Sequence, residues 1–224
     1  MSEIIEPLEP EHFYHIYNHA VGDDDFFKSQ NDYYFFLEKF QKYVLPFFDV
    51  YAYTLMPNHF HLVLHAHSPA SIKETLEEFY KEKDGLYRWS QGKENIESAV
   101  LSKALGNLFD TYARYFNTAH NRKGTLFTRS FKRKLVTSET HLQDLIKYVH
   151  LNPVEANFCK HPSQWKHSSF NSIVGTKETF VKKAEVIDLF FNLENFIFCN
   201  TKPILTIGNQ LPKEPFNKPF DLPF

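Results

Sequence analysis

The most regular pattern in the chain is a strict alternation of side-chain character over residues 56–67, whose sequence is MPNHFHLVLHAH. Successive side chains of a β-strand point to opposite faces, so this alternation predicts a strand. One face is apolar and suits a core: Phe60, Leu62, Leu64 and Ala66. The other face carries four histidines and a valine: His59, His61, Val63, His65 and His67. We therefore expect the histidines to face a site and not the core.

A helical pattern occupies residues 139–152, where apolar residues recur every three or four positions: Leu142, Leu145, Ile146 and Val149. Tyr148 and Asn152 are four residues apart, so they project from one face of the helix, one turn apart. Pro153 disfavours helical backbone at the residue before it, which predicts that the helix ends at Asn152. A phenol and a side-chain amide are then presented together.

Alternation with a period of two indicates strands, and apolar residues every three or four positions indicate helices. Applied to the whole chain, these two patterns predict the order strand, helix, strand, strand, helix, strand, helix. Strands are expected at residues 13–18, 49–55, 59–67 and over a basic segment that ends at residue 134; helices are expected at residues 31–43, 71–83, 101–117 and 139–152, the last with Thr137 or Ser138 as its N-cap. This order is that of a ferredoxin-like α+β sandwich, an antiparallel sheet with helices packed on it, with one helix inserted. We assign residues 1–200 to one domain with a C-terminal helical extension. Residues 201–224 are rich in proline and are expected to form a tail.

The two histidines at positions 59 and 61 have a spacing that suits metal binding. Residues i and i+2 of a strand lie about 6.6 Å apart at Cα, so their imidazoles can converge on one ion, whereas His65 lies about 13 Å from His61. A structural zinc site is disfavoured because the two cysteines, Cys159 and Cys199, are 40 residues apart. The alternative is that His59 and His61 are surface residues, or a buried pair whose hydrogen bonds go to backbone groups.

Five segments, taken in order along the chain, resemble the HUH-type single-tyrosine transposases. They are residues 14–18 (YHIYN), 55–64 (LMPNHFHLVL), 124–134 (GTLFTRSFKRK), 147–156 (KYVHLNPVEA) and 165–170 (WKHSSF). Within that superfamily the chain is most similar to the REP-associated tyrosine transposases and to the insertion-sequence transposases that move single-stranded DNA. The match extends from about residue 13 to about residue 170, and the resemblance implies the same ferredoxin-like core.

The resemblance also implies a role for individual residues. His59 and His61 match the metal-binding pair, and Tyr148 matches the nucleophile. Asn152 takes the place where the family has a glutamine or asparagine that completes the metal site. Mg²⁺ or Mn²⁺, a 5′-phosphotyrosine intermediate and a homodimer are implied in the same way. His19 departs from the pattern, because the family commonly has arginine there, and a neutral imidazole cannot bind a phosphate through two parallel hydrogen bonds as a guanidinium does.

The net charge is unusual for a nucleic-acid-binding protein, since 25 basic and 27 acidic residues give −2. The distribution is uneven, because residues 122–134 contain six cations and no acid: Arg122, Lys123, Arg129, Lys132, Arg133 and Lys134. Phe127 and Phe131 interleave with these cations, which suits a strand that follows phosphates on one side. We predict that the six cations and Asn58 contact DNA. The alternative is a solvated edge strand that its charges protect from pairing.

Together these features predict a metal-dependent transposase-like enzyme that binds single-stranded or hairpin DNA, cleaves it and rejoins it. One alternative is a host-adopted protein of the same fold that binds DNA or RNA hairpins without cleaving them, and another is a metal-dependent nuclease that releases hydrolysed ends. The joint presence of the two histidines, Tyr148 and Asn152 favours the transposase. The chain has no run of about 18 apolar residues and no signal-peptide pattern at its start, so we expect no membrane association and a cytoplasmic location.

Overall fold

The computed structural model describes residues 7–22, 24–79, 85–90, 92–128 and 131–202. Its strands are β1 (Phe13–His19), β2 (Phe48–Leu55), β3 (His59–Ala66) and β4 (Lys132–Val136). Its helices are α1 (Gln30–Tyr43), α2 (Pro69–Phe79), α3 (Gly85–Ser90), α4 (Ile96–Ala119), α5 (Glu139–Glu155), α6 (Phe170–Val174), α7 (Lys183–Leu189) and α8 (Leu193–Thr201), with a 3₁₀ turn at Pro162–Gln164 between α5 and α6. From residue 203 onward, the predicted tail lies outside the described residues.

The strands form one sheet in the order β2-β3-β1-β4, and every neighbouring pair is antiparallel. The pairing of β1 with β3 places Tyr17 opposite His61 and His19 opposite His59. Residues that are directly opposite in a sheet share a face, so alternate residues of β1 join the histidines of β3 on one side. The predicted α+β class with an antiparallel sheet is confirmed.

The apolar face of β3 packs against α1 and α4. Phe60 lies between Phe36 of α1 and Phe109 of α4, with ring centres 5.6 and 5.2 Å away. Leu62 and Leu64 are also buried in this layer. Burying a large apolar side chain contributes roughly 1.5–3 kcal/mol, so these contacts determine which face of β3 is turned towards the histidine side.

Helix α5 covers the histidine face of the sheet. It begins where the sequence predicts, because Ser138 is the N-cap and its side chain accepts a hydrogen bond from the His141 N–H. The prediction that the helix ends at Asn152 is wrong: Pro153 lies inside α5, which continues to Glu155. Leu151, Asn152 and Pro153 are all buried, so tertiary contacts here override the local preference of the residue before a proline.

The predicted strand over the basic segment is confirmed in two pieces, since β4 begins at Lys132 and Phe127 forms an isolated antiparallel bridge with Ala20. The first part of the segment is not extended. There, Arg122 binds Asp24 at 2.9 Å and the Thr125 carbonyl at 2.8 Å, and Gly124 adopts a positive φ of 91°. These contacts fold residues 122–125 back on themselves, which is incompatible with an extended strand. Residues 129 and 130 lie outside the described part of the chain.

Candidate active site beneath helix α5

His59 sits at the start of β3 and is buried between two asparagines. Its Nδ1 atom is 2.8 Å from Oδ1 of Asn58, and its Nε2 atom is 2.9 Å from Oδ1 of Asn152 on α5. His19 stacks on the ring from the neighbouring strand, with ring centres 5.2 Å apart. His59 is therefore neither a surface residue nor a ring held by backbone groups, and the structure brings it together with Asn152.

His61 lies further along β3, where a third histidine holds it. Its Nδ1 atom is 2.9 Å from Nε2 of His15 on β1, and the two ring centres are 5.0 Å apart. The Tyr17 ring lies beside both imidazoles, with its centre 4.6 Å from that of His15 and 6.0 Å from that of His61. Both imidazoles are almost fully buried. Sequence reasoning missed His15, although the alternation of residues 13–19 places His15, Tyr17 and His19 on one face of a strand.

Tyr148 projects from α5 towards this pair of rings. Its ring centre is 5.1 Å from that of His61 and 6.3 Å from that of His15, in edge-to-face geometry in both cases. The side chain is half-buried, and Asn152 follows one turn later on the same helix. One chain therefore supplies the tyrosine, both histidines and the asparagine.

Burial keeps the imidazoles of the site uncharged. It lowers the pKa of His59 from 6.5 to about 4, although the hydrogen bond to Asn152 opposes the shift. Burial likewise lowers the pKa of His15 to about 3, and it holds the pKa of His61 well below 6.5. At neutral pH each ring therefore carries one N–H and one lone pair, which is the form that binds a metal ion.

The donors that meet here, two neutral imidazoles and an amide oxygen, are of the kinds that bind divalent cations. The 2.9 Å contact between His59 Nε2 and Asn152 Oδ1 is of hydrogen-bond length and brings one imidazole next to the amide oxygen. Within the described residues, no group of three or more His, Cys, Asp or Glu side chains is arranged to hold a metal ion. A metal site here therefore depends on the amide oxygen of Asn152 as a third ligand.

The three cations of β4 lie on two different faces of the sheet. Lys132 and Lys134 pair with Tyr17 and His15 across the β1–β4 ladder, and their Nζ atoms lie 5.7 and 5.9 Å from the Tyr17 ring centre, on the site side of the sheet. Arg133 points to the opposite face, where it donates to Ser102 of α4 at 3.1 Å.

The remaining members of the predicted DNA-binding set are placed as follows. Arg122 is held by Asp24 and by loop carbonyls, whereas Lys123 in the same loop is exposed. Asn58 contacts His59 through its side-chain oxygen. Arg129 lies outside the described residues. Contact of these residues with DNA stays a prediction.

A buried polar chain joins α5 to α8 and to β2 through His150. His150 is 2.8 Å from Asn200 Oδ1 of α8 through Nδ1 and 2.8 Å from Ser169 Oγ through Nε2. Ser169 in turn accepts a hydrogen bond from the Tyr53 N–H of β2 at 2.9 Å. The serine stands at the N-cap position of α6 but makes no capping hydrogen bond, because its hydroxyl is used to join β2 to α5.

The fold and the site define a class: an α+β protein with a four-stranded antiparallel sheet that carries paired histidines under a tyrosine-bearing helix. No family model and no curated protein sequence matches the chain. Among solved structures, a REP-associated tyrosine transposase bound to a REP hairpin is similar, with a TM-score of 0.50 and 14% sequence identity over 78% of this chain and 86% of that chain. At this level of identity the similarity is one of fold. Among the described helices, none has both the length and the apolar character needed to cross a bilayer.

Proposed function

We propose that this protein binds hairpin DNA and cleaves and rejoins a single strand through Tyr148, as a metal-dependent transposase-like enzyme of the HUH class. The observation that carries the proposal is the meeting of Tyr148 with His61, beside the His59–Asn152 pair, beneath one helix of one chain. The similarity in fold to a transposase bound to a REP hairpin supports the choice of partner. The strand order β2-β3-β1-β4 supports a ferredoxin-like core as part of the same proposal.

In the proposed reaction the phenol oxygen of Tyr148 attacks the phosphorus of a phosphodiester. The Oη–P bond forms as the P–O3′ bond breaks, and the phenol proton ends on the departing 3′ oxygen. The products are a 5′-phosphotyrosine and a free 3′-hydroxyl, so a DNA hydroxyl can reverse the step without ATP. Ionising a phenol of pKa ~10 at pH 7 costs about 4 kcal/mol, so the site has to favour the phenolate as the reaction proceeds.

His59, His61 and Asn152 would hold Mg²⁺ or Mn²⁺, which supplies Lewis-acid stabilisation of the charge on the phosphate. Burial keeps both imidazoles neutral, so protons do not compete for their lone pairs at pH 7. Lys132 and Lys134 lie on the same face of the sheet and would contact phosphates that flank the cleaved bond. The expected homodimer stays a prediction; the four site residues already meet within one chain.

The test is incubation of the full chain with labelled single-stranded hairpin oligonucleotides and Mn²⁺, followed by denaturing electrophoresis. The wild type is expected to give a denaturation-resistant adduct with one labelled fragment. Tyr148→Phe should retain hairpin binding and form no adduct, and His61→Ala should lose metal-dependent cleavage. Tyr34→Phe is the matched control, because Tyr34 is an exposed tyrosine of α1, on the other face of the sheet, and it should cleave as the wild type does.

The same gel separates the alternative functions. An oligonucleotide that is bound but left intact across varied hairpins and metals would identify a host-adopted hairpin-binding protein. Hydrolysed ends with no adduct would identify a nuclease. Cleavage that persists in Tyr148→Phe would exclude Tyr148 as the nucleophile.

A further inference from the structure

Trp89, one of the two tryptophans of the chain, lies on the surface of α3 and has two lysines over its ring. The Nζ atom of Lys93 is 4.3 Å from the ring centre, and the Nζ atom of Lys103 of α4 is 5.8 Å from it. Glu94 and Glu97 lie between the two lysines in sequence, yet among the described residues no carboxylate forms an ion pair with either lysine. We call the ring and its two lysines the Trp89 patch.

The Trp89 ring is not the main attachment of α3 to the rest of the protein. Leu86 and Ser90 are four residues apart, so they lie on one face of the helix, and both are buried. Trp89 keeps 39% of its surface exposed, although tryptophan is highly buried on average. A large flat ring on the surface, with cations that no acid neutralises, suits an anionic ligand that stacks on it.

The Trp89 patch and Tyr148 lie on opposite sides of the sheet. Helix α3 packs against α4, which covers the apolar face, whereas Tyr148 lies over the histidine face. Ser102, the residue before Lys103, accepts a hydrogen bond from Arg133 at 3.1 Å, so this part of α4 lies next to the edge strand β4. Arg133 is engaged by this hydrogen bond and lies over the Phe131 ring at 4.6 Å, so it joins β4 to α4. A DNA strand on the histidine face therefore reaches the Trp89 patch by passing over β4.

Single-stranded nucleic acid fits this combination of a ring and unpaired cations. Each nucleotide offers a flat base that stacks on an aromatic ring and a phosphate that attracts a lysine. Base stacking contributes a factor of about 5 to 150 in affinity, whereas an exposed contact of a cation with a ring contributes a factor of about 2 to 5. A base therefore displaces a lysine from the ring, and the displaced ammonium group is next to the phosphate of the same strand. Paired bases have no free face, so the patch fits an unpaired segment.

We propose that the Trp89 patch binds the single-stranded DNA that flanks the hairpin, with one base stacked on Trp89 and phosphates beside Lys93 and Lys103. The choice of DNA as the ligand rests on the proposed function, whereas stacking on Trp89 does not require cleavage by Tyr148. The bound strand passes over the edge strand β4, so the protein holds it on both sides of the sheet.

The first test is the tryptophan fluorescence of the full chain. Trp165→Phe leaves Trp89 as the single indole, and oligothymidylate of about 20 nucleotides, which forms no hairpin, should quench its emission to saturation. A blunt hairpin without unpaired flanks should leave the emission unchanged. If Trp165→Phe fails to fold, the difference in quenching between the wild type and Trp89→Phe measures the same contact. An emission of Trp89 that oligothymidylate leaves unchanged overturns the proposal.

The second test is the affinity for a hairpin with a single-stranded flank, measured by fluorescence anisotropy without added metal. Trp89→Ala should weaken binding by about 5- to 150-fold, whereas Trp89→Phe retains a ring and should retain most of the affinity. Phe191→Ala, at a phenylalanine that is 85% exposed, is the matched control and should change the affinity by less than about 2-fold. Equal affinities of folded Trp89→Ala and the wild type contradict the proposal.

The third test is the salt dependence of the same binding. The double variant that carries Lys93→Gln and Lys103→Gln should reduce the slope of log K against log salt by about 1.4, because each phosphate contact with a single strand contributes about 0.7. Lys39→Gln is the matched control, since Lys39 lies 4.9 Å from the centre of the Phe35 ring but pairs with Glu38, and it should leave the slope unchanged. An unchanged slope in the double variant contradicts the proposed phosphate contacts.

These outcomes are separate from those of the adduct assay. Quenching of Trp89 by single-stranded DNA, with no adduct on any hairpin, would contradict the proposed cleavage and support the Trp89 patch. Adduct formation in a protein whose Trp89 emission does not respond to single-stranded DNA would support the proposed function and overturn the patch.

Discussion

Replacing His150 by alanine should destabilise the protein more than any change at an exposed histidine. Both of its ring nitrogens make 2.8 Å contacts in a fully buried setting, to Asn200 and to Ser169. The amide of Asn200 is itself oriented, because its Nδ2 atom donates to the Phe196 carbonyl at 2.8 Å. Its oxygen therefore faces the imidazole, which donates from Nδ1 and accepts from Ser169 through Nε2.

The expected loss can be assembled from these contacts. Two hydrogen bonds contribute about 1 kcal/mol each, and the variant leaves the acceptor oxygen of Asn200 and the hydroxyl donor of Ser169 buried without their His150 partner. The ring also packs edge-to-face against Phe170 and Phe196, whose centres each lie 5.7 Å from it, so alanine leaves a cavity. We expect His150→Ala to lower the free energy of unfolding by about 3 to 5 kcal/mol, a large part of the roughly 5–15 kcal/mol of an ordinary domain.

The assay is urea denaturation at pH 7 followed by far-ultraviolet circular dichroism. The urea concentration at the midpoint of unfolding should fall, while the slope of the unfolding free energy against urea concentration stays the same. The control is His12→Ala, at an exposed histidine, which should change stability by less than about 0.5 kcal/mol. In the double variant that carries both His150→Ala and Asn200→Ala, the loss of unfolding free energy should be smaller than the sum of the two single losses by about 1 kcal/mol or more. A loss below about 1 kcal/mol for His150→Ala would refute the reasoning.

Two further predictions concern acid and salt. Burial, with a smaller contribution from Lys166, lowers the pKa of His167 from 6.5 to about 4. The unfolded chain therefore binds a proton at this histidine near pH 6.5, whereas the folded chain binds it only near pH 4. The contribution of His167 to the free energy of unfolding should be complete above pH 6.5 and should decline as the pH falls towards 4. His167→Phe keeps an aromatic ring beside Tyr33 and should make this decline less steep in urea titrations at several pH values, while the other buried histidines continue to contribute; an unchanged decline would contradict the assignment. In hairpin binding measured by fluorescence anisotropy, Lys134→Ala should reduce the slope of log K against log salt by about 1, whereas Arg133→Ala, whose side chain lies on the other face, should leave the slope unchanged. Equal slopes for the two variants would argue against the placement of the phosphate path.

The local features of the site could be predicted from sequence, because each depends on a short period. Alternation in β3 separates His59 and His61 from the apolar face, helical spacing pairs Tyr148 with Asn152, and a serine before a helical pattern marks the N-cap. The sequence-based ending of the helix failed at Pro153, because burial of the last turn of α5 outweighs a local backbone preference.

What could not be predicted depends on contacts between distant segments. The partnership of His15 with His61 requires the register of β1 against β3, and that of His150 with Asn200 joins residues 50 positions apart. The different placements of the cations in the basic segment also depend on contacts with distant segments. The pleat of β4 turns Lys132 and Lys134 to the site face and Arg133 to α4, whereas Arg122 is held by an acid almost 100 residues earlier in the chain.

The anchoring of α5 by α8 also has a consequence for the order in which the protein matures during translation. The ribosome makes the histidine strand first, the tyrosine helix some 80 residues later, and Asn200 another 50 residues after Tyr148. Until Asn200 has emerged, His150 lacks one of its two buried partners and the tyrosine helix lacks its anchor in α8. A nascent chain can therefore complete its sheet before the helix that carries Tyr148 is anchored. For an enzyme proposed to cut DNA, this order of synthesis delays the ability to cleave until residue 200 has been synthesised and folded into place.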